Sequence, residues 1–110
     1  MSKPKTFLQK AEQIVLQNLS DFNFGVHELS TMLHLSSSQT YRKIKAQTGK
    51  SPSLFISHIR LSLAYDLLQE SDLSITQIAY RVGFADVTYF SHSFRDFFGK
   101  TPTQVRRDAG

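Results

Sequence analysis

Two sets of polar side chains in this chain share one spacing, and the spacing decides what they can do together. Thr88, His92 and Arg95 recur at intervals of four and three residues along VTYFSHSFRDFF, and Ser38, Arg42 and Lys45 do the same along SSQTYRKIKAQT. An α-helix turns about 100° per residue, so each set collects on one face. In the later run that face lies opposite Phe90, Phe94, Phe97 and Phe98. Hydroxyl, imidazole and guanidinium groups on a short helix held down by aromatics are suited to hydrogen bonding with base edges and phosphates, and such a helix fits a DNA major groove. One such helix alone is more simply a solvated face on a small bundle. Two helices with matching outer faces argue for a nucleic-acid surface.

The elements that must hold these faces are written into the flanking residues. Ser74 caps a helix, Gln77 completes its capping box, and Ile75, Ile78, Ala79 and Val82 recur at helical spacing. Gly83 ends that helix, Phe84 drops into the core, Asp86 caps the next helix and Gly99 stops it, followed by Pro102. The earlier stretch repeats this plan. Val26, Leu29, Ser30, Leu33 and Leu35 align with Ile75, Ile78, Ala79, Val82 and Phe84. After one extra residue in the later turn, Ser36, Thr40, Ile44, Gly49 and Pro52 align with Asp86, Phe90, Phe94, Gly99 and Pro102. Gly25 with Glu28, and Ser36 with Gln39, supply the earlier helix starts. The chain therefore contains one helix-turn-helix unit twice.

Three further segments frame the repeat. Phe7, Leu8, Ala11, Ile14, Val15 and Leu19 form the apolar stripe of a first, scaffold helix, after which Phe22 and Phe24 are expected to anchor a loop to the core. Between the copies, Ser51 caps and Pro52 opens a long helix over residues 52–70, with Phe55, Ile56, Ile59, Leu63, Leu67 and Leu68 on its buried stripe. At 1.5 Å per residue it spans roughly 28 Å, a little under the roughly 34 Å between successive major-groove faces. A last helical turn opens with Thr101 and Pro102; Val105 tucks under, leaving Arg106 and Arg107 near the surface. These segments predict one domain in three parts: a first helix-turn-helix unit at 6–51, a linker helix at 52–70 and a second unit at 71–108.

Composition narrows the function classes. The 110 residues carry 13 basic and 9 acidic side chains, a net charge of +4 that permits polyanion binding. Distribution says more: Arg42, Lys43, Lys45 and Lys50 stand with no acid between Ser36 and Lys50, whereas Asp66, Glu70 and Asp72 cluster between the two basic zones. The absence of cysteine excludes disulfides, thiolate metal sites and a cysteine nucleophile, and fits a reducing cytoplasm. No secretory signal pattern or membrane-length apolar run is present, so a soluble, intracellular protein with no membrane partner is expected. His27, His34, His58 and His92 lack metal-ligand spacing, and no Ser-His-Asp arrangement or glycine-rich phosphate loop appears. Neither an enzyme, a bound metal nor a cofactor is expected.

The run DLSITQIAYRVGFADVTYFSHSFRDFFGKTP, together with RLSLAYDLL from Arg60 and YRKIKAQTGKSP from Tyr41, resembles the signature of the AraC/XylS family of bacterial transcription regulators. The resemblance extends from about Thr6 to Arg107 and includes the one-residue difference in turn length. It implies an all-α fold of seven helices, homeodomain-like, with two recognition helices, about 37–48 and 87–98, in adjacent major grooves of double-stranded DNA. The positions matching the family's base contacts are Ser37, Ser38, Tyr41 and Arg42 in the first unit and Val87, Thr88, Ser91 and His92 in the second. Lys45, Lys50, Arg81, Arg95 and Lys100 then fall to phosphate, with the backbone N–H groups near Ser37 and Val87. Arg42 suits a bidentate guanine contact and Val87 a thymine methyl. The resemblance further implies regulation of transcription, more often activation, in the bacterial cytoplasm at the nucleoid. It also implies contact with RNA polymerase and company with an effector-binding, dimerisation or signalling domain.

Three positions depart from the family pattern. Thr40 stands where a large apolar residue is usual, and its hydroxyl is expected to bond back to the Ser36 carbonyl. Val105 replaces an aromatic, and Ser37 and Ser38 are short enough to read bases through water. A different class stays open beside DNA binding: a helical interaction module whose basic face meets an acidic protein surface. Competition between related duplex sequences separates the two.

Overall fold

Helix boundaries in this protein follow its capping residues. In the computed structural model, which describes residues 3–110, the helices are α1 (Phe7–Gln17), α2 (Val26–Met32), α3 (Ser37–Thr48), α4 (Pro52–Glu70), α5 (Ile75–Arg81), α6 (Val87–Phe98) and α7 (Pro102–Ala109). The described residues contain no strand. Four starts are reciprocal capping boxes: Thr6 with Gln9, Ser36 with Gln39, Ser74 with Gln77 and Thr101 with Gln104. In each, the glutamine Oε1 accepts the cap residue's N–H at 2.8–2.9 Å while the cap hydroxyl accepts the glutamine's N–H. Each such cap typically contributes about 1 kcal/mol. Asp86 caps α6 through Oδ1, which accepts the Tyr89 N–H at 2.9 Å, and Gly49 and Gly99 stop α3 and α6 in the left-handed conformation at φ 74° and 75°.

The chain divides into two compact units. One holds the described residues up to Asn18 with Asn23–Ile59, the other Leu19–Phe22 with Arg60–Gly110. The first packs Ala11, Val15, Phe24, Leu29, Ile44 and Ile56 into its core. The second packs Phe90 and Phe94 among Leu61, Ala64, Leu68, Ile78, Val82 and Val105. There a ladder of aromatic rings runs Phe84, Phe90, Phe94, Phe98, Tyr65 at centroid spacings of 5.3, 5.8, 4.7 and 4.9 Å, within the range that adds attraction beyond burial. Helix α4 gives Ile56 to one core and Leu61, Ala64 and Leu68 to the other. Of the expected stripe only Ile56 and Leu68 are buried, while Phe55, Ile59, Leu63 and Leu67 are half-buried and Leu61 and Ala64 take the core positions.

Three expectations need correction. Phe22 does not anchor its loop in the core: it is 51% exposed, with its ring 6.1 Å from that of Tyr80, while Phe24 alone is buried. Phe97 shares the direction of Phe90 but is 39% exposed. Periodicity fixes direction, not depth, and seven residues carry a side chain about 10 Å along the axis, to a last turn where Phe98 takes the place over Tyr65. Arg106 is half-buried and not a free surface charge. Its Nε donates to the Leu68 carbonyl at 3.3 Å, Nη2 to that of Ser71 at 3.0 Å, and Nη1 to that of Leu73. The guanidinium thus satisfies the orphan carbonyls at the end of α4 and in the loop after it.

Candidate nucleic-acid interface

In α3 the buried side is made by Thr40 and Ile44, both fully buried. Thr40 is polar, but its Oγ1 donates to the Ser36 carbonyl at 3.0 Å, so the hydroxyl is satisfied inside the core as expected. Seating these two residues leaves Ser37, Ser38, Tyr41, Arg42 and Lys45 exposed. Arg42 shares a groove of about 370 Å³ with Gln39, Lys43, Ala46 and Gln47. In α6 the fully buried pair is Phe90 and Phe94, and Thr88, His92 and Arg95 are exposed. Val87 and Ser91 are half-buried, so they offer less surface to a ligand than their counterparts Ser37 and Tyr41.

The cations differ in how freely they could meet a phosphate. Arg81 and Arg95 are exposed and Lys50 is half-buried. Lys45 Nζ donates to the Gly49 carbonyl at 3.0 Å, capping the negative end of its own helix. Lys100 pairs with Asp108 at 3.1 Å, both side chains being more than half exposed, so the pair is weak and readily exchanged. Lys43 sits with Nζ 5.2 Å from the centroid of the Phe7 ring, a cation–π contact that holds α1 against α3.

Two basic groups have roles that the sequence did not announce. Arg106 closes the end of α4, and Arg60, only 6% exposed, donates to the backbone carbonyls of Gly83 and Asp21. Burial lowers the Arg60 pKa from its ordinary value, and the Asp21 carboxylate partly restores it. In the first unit, burial and then the charge of Lys50 lower the pKa of His58. Among the described residues no group of three or more His, Asp and Glu is placed to hold a metal ion, and no helix is long and apolar enough to cross a membrane.

Paired helices with an exposed polar second helix define a helix-turn-helix protein, and residues 29–108 match the family model described as a helix-turn-helix domain. The chain belongs to that family, in its AraC type. It is 41% identical over 99 residues to histidine kinase P4 of Formosa agariphila, covering 90% of this chain and 7% of the kinase. It is 44% identical over 102 residues to the HTH-type transcriptional activator RhaS of Citrobacter koseri, covering 90% of this chain and 33% of RhaS. The chain thus spans a third or less of the length of these relatives. Among solved structures, the DNA-binding domain of the global transcriptional factor AdpA, in complex with a target DNA, is similar with a TM-score of 0.84 and 26% identity, covering 94% of this chain and 93% of that one. Of these, RhaS is a transcriptional activator and AdpA a transcriptional factor whose DNA-binding domain is seen with its target DNA.

Proposed function

We propose that this chain binds double-stranded DNA sequence-specifically and regulates transcription, with α3 and α6 entering adjacent major grooves. The observation that carries this reading is the recurrence of one exposed face in two copies of one unit. Ser38, Arg42 and Lys45 stand opposite buried Thr40 and Ile44, and Thr88, His92 and Arg95 stand opposite buried Phe90 and Phe94. A solvated face could carry any polar residues, so donors repeated at matched positions favour a shared ligand. Residues 6–51 and 71–108 are then the two readers, and 52–70 the helix that links them. Ser37, Ser38, Tyr41, Arg42, Val87, Thr88, Ser91 and His92 contact bases, Arg42 through its fork. Arg81 and Arg95 are the most accessible phosphate ligands; Lys45, Lys50 and Lys100 add to them, the first and last after giving up local partners.

Activation is the favoured sign, in line with the activator RhaS, and contact with RNA polymerase belongs to the same reading. A further domain for effector binding, dimerisation or signalling also fits, because the kinase carries its matching segment in 7% of its length. Selection of bound duplexes from a random library at two salt concentrations tests the proposal. Two half-sites about one helical turn apart support two readers. Binding without any motif, lost at higher salt, leaves only phosphate affinity and defeats it.

A further inference from the structure

Arg60 is the first residue of α4 to belong with the second unit, and its buried guanidinium reaches the turn between α5 and α6. Nη1 donates to the Gly83 carbonyl at 2.5 Å and Nη2 to the Asp21 carbonyl at 3.2 Å. The approach on Gly83 is close: a Cβ there would lie 2.4 Å from Arg60 Nη1 and 2.2 Å from the Leu19 carbonyl oxygen. Gly83 also has φ +96°, a conformation that side chains disfavour. Turn, guanidinium and the Leu19–Phe22 segment are therefore stacked with no room between them. A planar fork holding two carbonyls fixes their mutual angle in a way that a single ammonium cannot. Burying such a cation is costly unless its donors are paired, and here both Nη groups hold backbone carbonyls.

Among the described residues of the first unit the arginine, Arg42, is exposed, so no buried guanidinium stands behind the corresponding turn. The residue at that turn, His34, is exposed.

We propose that Arg60 is a positioning residue for the second reader: it braces the α5–α6 turn from behind and so fixes the angle at which α6 offers Thr88 and His92 to DNA. This rests on the DNA-binding reading above, but the brace itself can be tested without DNA. In the full chain, Arg60→Met removes both donors and the charge, and Arg60→Lys keeps a cation that holds one carbonyl.

Amide hydrogen exchange is the first arm. The Gly83 and Phe84 amides, bonded to the carbonyls of Tyr80 and Ala79, are expected to exchange about tenfold faster in Arg60→Met while those of α2 and α3 keep their rates. Arg60→Lys is expected to fall between, and it carries the test if Arg60→Met does not fold. Unchanged exchange, or equal acceleration in every helix, overturns the brace. Duplex selection is the second arm, with base preference at the α6 half-site expected to fall about tenfold and that at the α3 half-site retained. If wild type selects two half-sites and both variants keep both preferences, the positioning role is overturned and DNA reading stands. If wild type selects no motif, DNA reading fails and the positioning role with it, while the exchange arm still reports on the brace.

Discussion

His34 and Gly83 occupy the same place in the two repeats and share a left-handed backbone, at φ 59° and 96°. Each lets the next residue bond back into its helix: Leu35 N–H to the Ser30 carbonyl at 3.0 Å, Phe84 N–H to that of Ala79 at 2.9 Å. Their surroundings differ, since His34 is exposed and Gly83 is buried against the Leu19 carbonyl. His34→Gly is therefore expected to raise stability by about 0.5–1 kcal/mol through relief of backbone strain. Gly83→Ala should lower it by about 3 kcal/mol or more, because conformational strain and a backbone clash add. Urea unfolding of the two variants checks both signs, and a Gly83→Ala protein as stable as wild type refutes the account.

Much of this architecture was legible because it is local. Caps, stop glycines and apolar periodicity act within a few residues, and the repeat itself showed that Thr88 matches Ser38 and His92 matches Arg42. What could not be read is where long side chains go. Arg60 meets partners 23 and 39 residues away and Arg106 partners 33 to 38 residues away, and both looked like ordinary cations in the chain. Depth was equally hidden, as Phe22 and Phe97 show: aromatic residues at apolar positions that the core is too small to cover.

Depth has a measurable consequence in α6. Phe94 is fully buried in the ring ladder, so Phe94→Ala should cost about 3–5 kcal/mol and threaten folding. Phe97→Ala, at a site 39% exposed, should cost well below that, about 1 kcal/mol. Thermal melts of both variants test the ranking, which equal losses would contradict.

Arg106 makes its three donations to backbone carbonyls, and hydrogen bonds from charged donors carry more weight than neutral ones. Replacement by methionine, which preserves much of the stem, is expected to cost about 2 kcal/mol. The salt dependence of DNA binding should not change, since this cation is already committed. A salt slope that drops in Arg106→Met would instead make it a phosphate ligand.

His58 supplies a pH term of definite sign. Burial and Lys50 hold its folded pKa below the ordinary 6.5, so in the window beneath that value the unfolded chain binds more protons than the folded one. Stability from this group is complete above pH 6.5 and is lost as pH falls through the folded value. Comparing His58→Gln with wild type across this range should remove that part of the acid slope. Identical slopes in the two proteins would exclude His58 as its source.

Arg42 and Lys45 lie on one exposed face of α3 yet should fail differently. Arg42 offers a fork whose geometry matches the two acceptors of guanine, so Arg42→Ala is expected to cost about 1–3 kcal/mol on the selected sequence and to relax preference at one base pair. Lys45 is a point charge that also caps the end of α3 through the Gly49 carbonyl. Its loss should weaken binding to all sequences alike, reduce the salt slope by about 1, and lower stability by about 0.5 kcal/mol through the missing cap. Titrations of each variant against selected and scrambled duplexes at several salt concentrations separate the two. Equal losses on both duplexes for Arg42→Ala would remove it from the base-reading set and leave it among the phosphate contacts.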